Sequence, residues 1–220
     1  PELTAMVVEW VLAAGDPEVP KLFKLTAAVT TVAPVVAAIR AVLDRHPRAA
    51  VGITLANTFP TLAFRPRPER RWDEGVVVGM SGAGVLPITA LAIAKAAPLG
   101  VPISANGGVM TAHDAAHLLA LGATTVQVCT VVLRDGVEVV DHLHSGLAHL
   151  LEARGLSSVA ELVGRALPDA ITPFEALSAD LGVSEVREDR CIHCGSCTRC
   201  PAACPPGAAA VARAGCGRTD

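Results

Sequence analysis

Five of the chain's seven cysteines fall within 14 residues, in the stretch CIHCGSCTRCPAAC from Cys191 to Cys204. Cys191, Cys194 and Cys197 give C-x2-C-x2-C. Read one step later, Cys194, Cys197, Cys200 and Cys204 followed by Pro205 give C-x2-C-x2-C-x3-C-P, the ligand run of bacterial ferredoxins. Thiolates offset the charge of ferric iron, and the short spacings gather three sulfurs around one cubane. Zinc is the competing reading, but structural zinc sites draw on two separated cysteine pairs, and no second pair stands at a distance. Five thiolates for four iron atoms leave open whether Cys191 or Cys200 is spare, with Cys216 available as a remote ligand. Without a secretory signal in view, a cytoplasmic chain is expected, where clustered cysteines hold metal rather than disulfides.

A second set of residues stands where short apolar segments end. Lys24 sits inside LFKLTA, Asn57-Thr58 follow AVGITLA, Asn106-Gly107-Gly108 follow VPISA, and Cys129-Thr130 close TTVQVCT. The stretch GMSGAG at 79–84, with Gly82 at its middle, lies between the second and third. Glycine pairs let backbone N–H groups approach a phosphate; they also serve plain tight turns. Lys24 either snorkels at a strand end or points its cation towards an anionic ring. Asn57-Thr58 supplies the donors and acceptors that match a planar amide, or caps the next loop. His113 and His117, four apart with Asp114 between them, could ligate metal but read more simply as a solvated helix face.

The elements that must position these residues follow from periodicity. Residues 2–14, 30–44, 88–97, 112–122 and roughly 136–153 read as helices. Segments 22–27, 50–56, 101–105 and 124–130 read as strands, and 64–75 as a polar, proline-rich loop. Runs 75–94 and 96–112 lack charge, but glycine, proline and serine break them, so they read as strand, loop and helix rather than membrane spans. The strand–loop–helix unit thus repeats about four times. Continuous apolar strands alternating with helices imply a parallel sheet covered on both faces, either doubly wound or part of a (β/α)8 barrel. A full TIM barrel takes about 250 residues, so four units suggest its C-terminal half. The expected division is a partial barrel over 1–155, a helical linker over 156–188 and a small ferredoxin-like module over 189–220. Function in such folds sits at the C-terminal strand ends.

With 220 residues, 51% of them hydrophobic, the chain can bury a sizeable core. A net charge of −3 and an isoelectric point near 6.2 do not favour nucleic acid as a partner. An isolated half barrel exposes strand edges, so association with a second copy or with the other half is expected.

The segments KLT, ANT, GMSG, NGG, TVQVCT and CIHCGSC, in this order, resemble the C-terminal half of the FMN barrel of dihydropyrimidine dehydrogenases, especially the FMN and iron–sulfur subunit of the bacterial NAD-dependent type. Class 1 dihydroorotate dehydrogenases share that barrel. The resemblance covers about residues 1–205. It implies that Lys24 approaches a flavin ring and that Asn57 and Thr58 hold a pyrimidine. It implies that Gly82, Asn106, Gly107, Gly108, Cys129 and Thr130 line the FMN, the last five near its phosphate. It further implies a [4Fe–4S] cluster feeding electrons to the flavin, an NAD(P)H- and FAD-containing electron-donor subunit, and hydride transfer at the 5,6-bond of a pyrimidine. By this resemblance the general-acid cysteine would precede Pro1, so no catalytic residue is assigned, and Cys129 is not that acid. The family has Pro-Asn after KLT, where Ala27-Ala28 stand here, and two ferredoxin motifs where one stands here. Two other readings are an iron–sulfur electron-transfer or metal-binding module on an incomplete, non-catalytic barrel, and a phosphosugar enzyme, which leaves the cysteine run without a role.

Overall fold

The computed structural model describes residues 1–29, 31–167 and 171–176. In chain order the elements are α1 (Glu2–Ala14), β1 (Lys21–Lys24), α2 (Ala33–Leu43), β2 (Val51–Leu55), β3 (Phe59–Arg65) and β4 (Glu74–Met80). They continue with α3 (Leu86–Ala96), β5 (Ile103–Asn106), α4 (Ala112–Ala120), β6 (Thr125–Gln127), α5 (Thr130–Asp135), α6 (Val139–Ala153) and α7 (Val159–Leu162). The chain divides into two compact units, Pro1–Ile171 and Thr172–Asp220. Of the second, residues 172–176 are described, and they hold one 3-10 turn, Phe174–Ala176. The five clustered cysteines and Cys216 lie outside the described residues, as does most of 156–188 beyond Leu167.

Four strands form one parallel sheet in the order β1-β2-β5-β6. That order follows the sequence without reversal, whereas a doubly wound sheet reverses at its switch point. The helices accordingly lie in succession on one face: α1 packs on α2, α2 on α3 and α3 on α4. The expectation of helices on both faces is therefore corrected. One face carries Phe23, Leu25, Ile53, Leu55, Ile103, Ala105, Val126 and Val128, all packed in the main core with Val8, Val36, Ile39, Ile93 and Leu118 of the helices. The other face starts with Leu22 and Gly52 and is polar towards the C-terminal strand ends. Lys24, Thr54, Ser104 and Thr125 stand side by side in one registered row across all four strands. Successive side chains on a strand point to opposite faces, so this row and the apolar residues beside it are the two halves of one pattern.

The uncharged stretch Gly82–Leu99 is long and apolar enough by length and composition to cross a membrane. Its helix α3 instead buries Thr89, Ala92, Ile93, Ala94 and Ala96. Pro87 at its start costs no hydrogen bond, because the first-turn N–H groups have no intrahelical partner.

Three local departures have physical causes. The loop expected at 64–75 is the end of an antiparallel hairpin, β3 paired with β4 from Phe59↔Met80 to Arg65↔Glu74. VVV at 76–78 therefore belongs to this hairpin and not to the parallel sheet. Its tip is held by Glu74, which accepts from both Arg65 and Arg67, and by Arg71 lying over the Trp72 ring. The helix expected over 136–153 starts at Val139, with the separate α5 before it. Leu156 and Leu162 pack with Ala116, Leu119 and the leucines of α6, so the stretch after 155 belongs to the first unit up to Ile171.

The α1 helix is tied to the α2–β2 connection by Glu9, which accepts from His46 Nε2 at 2.6 Å and Arg45 Nη2 at 2.5 Å. The His46 contact first, and then the Arg45 guanidinium, hold the Glu9 carboxyl below its ordinary value of 4.5. A carboxyl depressed in the folded state adds stability above its unfolded pKa, and that stability is lost as pH falls through the depressed folded value. Thermal melts of Glu9→Gln should therefore approach those of the parent as pH falls below 4.5, with the gap widest near neutrality. A gap independent of pH would rule this linkage out.

Candidate functional site

The C-terminal ends of the four parallel strands open on one cavity of about 240 Å3. Lys24 reaches it from β1. Asn57 and Thr58 follow β2, after a cis peptide between Leu55 and Ala56. Gly82 comes from the turn before α3; Asn106, Gly107 and Gly108 from the end of β5; Cys129 and Thr130 from the end of β6. The nine residues singled out at the strand ends and in the GMSGAG stretch thus meet in one place, whereas His113, Asp114 and His117 do not line it. Cys129 is exposed and unbridged. The volume is just under the ~300–1,000 Å3 usual for ligand pockets.

Local packing explains why these loops converge. Asn57 Oδ1 accepts from the Thr58 N–H at 2.9 Å where the chain leaves β2 and enters the hairpin. A Cβ at Gly79 would stand 2.6 Å from Thr58 Oγ1, so only glycine lets Thr58 lie against β4. A Cβ at Gly82 would come within 3.3 Å of Thr130 Cγ2, which brings the turn before α3 against the start of α5. The loop after β5 ends in a capping box. Asp114 Oδ2 accepts from the N–H groups of Met110 and Thr111, and the Asp114 N–H donates to Thr111 Oγ1. Asp114 is thus a cap. His113 and His117 are exposed on α4, and no group of three or more potential metal ligands occurs among the described residues.

The glycine pair has a structural cause alongside any ligand role. Gly107 and Gly108 hold φ of +124° and +93°. A Cβ on Gly107 would meet Thr89 Oγ1 at 2.8 Å, and one on Gly108 would meet the Leu86 backbone at 2.5 Å. The absent side chains let the loop press on the first turn of α3. Thr89 Oγ1 beneath it is buried and has no hydrogen-bond partner among the described residues.

Six further residues line the cavity: Ser81, Val85, Val109, Gln127, Val128 and Leu133. Gln127 is the informative one. Its Nε2 donates to Ser104 Oγ at 2.8 Å and to Thr54 Oγ1 at 3.2 Å, spanning from β6 over β5 to β2. Thr125 Oγ1 donates to the same Ser104 oxygen at 2.8 Å. Thr54 and Ser104 are 4% and 5% exposed, so the cavity has a buried polar floor. The signal for it was the alternation T-V-Q-V-C at 125–129, which puts Thr125, Gln127 and Cys129 on one face.

A one-sided parallel α/β layer with its polar residues gathered at the C-terminal strand ends is the class of protein that fold and site define. The chain belongs to the dihydroorotate dehydrogenase family, whose model matches residues 1–151. It is 41% identical over 97 residues to the NAD-dependent dihydropyrimidine dehydrogenase subunit PreA of Escherichia coli K12, covering 44% of this chain and 23% of that protein. It is 34% identical over 116 residues to the catalytic subunit of dihydroorotate dehydrogenase B (NAD(+)) of Pyrococcus furiosus, covering 52% and 39%. The corresponding subunit of Methanothermobacter thermautotrophicus is 33% identical over 168 residues, covering 76% and 53%. The chain therefore spans from about a quarter to about half the length of these relatives.

Proposed function

We propose that this chain is the C-terminal half of an FMN-binding (β/α)8 barrel, part of an oxidoreductase acting on the 5,6-bond of a pyrimidine. The observation that carries the reading is that Lys24, Asn57, Gly107 and Thr130, from the ends of four successive strands, line one cavity. Those residues fit the group. Val85, Val109, Val128 and Leu133 give apolar walls for a flat ring; Lys24 and Gln127 give polar contacts for its edge; Asn106 and the loops at Gly107-Gly108 and Cys129-Thr130 give an amide, backbone and a hydroxyl for an anionic tail. When bound, FMN supplies the hydride chemistry. The chain's part is to hold the ring, place the Lys24 cation at the cup, and offer Asn57 and Thr58 to the substrate's amide groups. A cup walled by four strands accounts for the modest volume.

In the same reading Cys191, Cys194, Cys197, Cys200 and Cys204 supply the four ligands of a [4Fe–4S] cluster, whose one-electron chemistry links the flavin to an NAD(P)H- and FAD-containing donor subunit. The E. coli relative is a subunit of an NAD-dependent enzyme, which supports such a partner. The chain is proposed to be cytoplasmic, and to associate through the edges β1 and β6 with the other barrel half or with a second copy. Ala27-Ala28 leave the choice between dihydropyrimidine and dihydroorotate to experiment.

Anaerobic reconstitution with FMN and iron tests both halves of the reading. Bound yellow flavin with quenched fluorescence, and a brown chromophore with iron and sulfide in equal amounts, are expected. Brown protein that takes up no flavin would favour the non-catalytic electron-transfer module instead.

A further inference from the structure

We propose that Gln127 reads the flavin ring, with its amide fixed so that Oε1 accepts a hydrogen bond from the ring's imide N–H. The inference rests on the FMN reading above. Both Nε2 protons of Gln127 are committed, one to Ser104 Oγ and one to Thr54 Oγ1. The amide's remaining capacity is the acceptor at Oε1, on a side chain that lines the cavity. The anchor is itself held: Thr125 Oγ1 donates to Ser104 Oγ, and Thr54 and Ser104 are buried in paired strands. A side chain tied at two points to the sheet cannot swing to suit the ligand, so its acceptor selects for a donor.

The choice of ring over substrate follows from depth. Thr54 and Ser104 lie two or three residues before the strand-end positions Asn57 and Asn106, so Gln127 is anchored on the floor. A resident cofactor occupies the floor, and a substrate that exchanges with solvent lies above it. The flavin's pyrimidine edge alternates acceptor, N–H donor, acceptor. Lys24, in register with Thr54 at the other side of the row, offers donors only, and Gln127 offers the acceptor the N–H needs.

Fluorescence titration with FMN and with 3-methyl-FMN, which lacks that N–H, tests this in the full chain and in Gln127→Met. Near-UV and far-UV circular dichroism confirm that the variant folds. The unmodified chain should prefer FMN over 3-methyl-FMN by about tenfold, because the methyl group leaves a fixed acceptor unpaired. Gln127→Met should bind the two alike. A purely structural role would weaken both ligands equally and keep the preference. An unchanged preference in Gln127→Met, no preference in the unmodified chain, or a misfolded Gln127→Met whose companion Gln127→Leu folds and keeps the preference unchanged, would each overturn the assignment. A chain that binds neither flavin overturns the FMN reading together with this one.

Discussion

Gly108→Ala should lower the melting temperature by about 6–12 °C and abolish flavin binding, while Gly100→Ala should lower it by only a few degrees. Both glycines have positive φ, +93° and +70°, so each pays the strain an L side chain meets there, about 1 kcal/mol. They differ in surroundings. Nothing lies within 4 Å of a Cβ on Gly100, whereas one on Gly108 would stand 2.5 Å from the Leu86 N and Cα atoms. Those atoms are backbone at the start of α3, a helix packed on the sheet through Ile93 and Ala96, so they cannot rotate aside. Relief requires the loop after β5 to lift from α3, and strain plus displacement comes to about 3 kcal/mol. At this size each kcal/mol corresponds to about 2–4 °C. The lifted loop carries Asn106 and Gly107 away from Thr130 across the cavity, which is why binding goes with stability. Differential scanning calorimetry and FMN titration on the two variants check this. Equal melting shifts would mean that φ alone, and not contact with α3, demands glycine at 108.

The residues of the site were legible because polar or glycine residues interrupt apolar runs at each strand end, and the C-terminal strand ends of a parallel sheet converge. Lys24, Asn57, Asn106 and Thr130 needed only that rule. The polar floor was missed because Thr54 and Ser104 each stand as one small polar residue within GITLA and PISA, which reads as an unbroken apolar strand. Small hydroxyl residues are tolerated in buried strands, and what marks these two is their registration across strands 50 residues apart in sequence. Registration is a property of the sheet that no local window holds. The hairpin escaped for a related reason. Its strands keep Leu62, Phe64 and Val77 exposed, so its apolar residues do not alternate against a core. The arginines and prolines between them imitate a loop. The one-sided helix layer was also hidden, since strand composition alone does not separate a face covered by helices from one filled with hydroxyls and an amide.

Ile53→Ala and Thr54→Val, adjacent on β2, should separate the two faces of the sheet. Ile53 is fully buried in the main core, between β1 and β5 and against the helices. Truncating a buried isoleucine removes its transfer energy and leaves a cavity that the central strand cannot collapse into, for about 3–4 kcal/mol. Urea denaturation should show that loss, and heating should show a midpoint lower by about 10 °C. Flavin affinity measured well below the transition should change little, because Ile53 points away from the cavity. Thr54→Val keeps the side-chain shape and exchanges a hydroxyl for a methyl. The Gln127 amide then loses its longer anchor, at 3.2 Å, and keeps the one to Ser104. Stability should move by no more than about 1 kcal/mol. Flavin affinity should fall about threefold, since Gln127 gains a freedom that binding must remove. The reversed outcome, with binding lost in Ile53→Ala at temperatures where it is fully folded and kept in Thr54→Val, would mean that the polar row is packing and that the cavity floor recognises nothing.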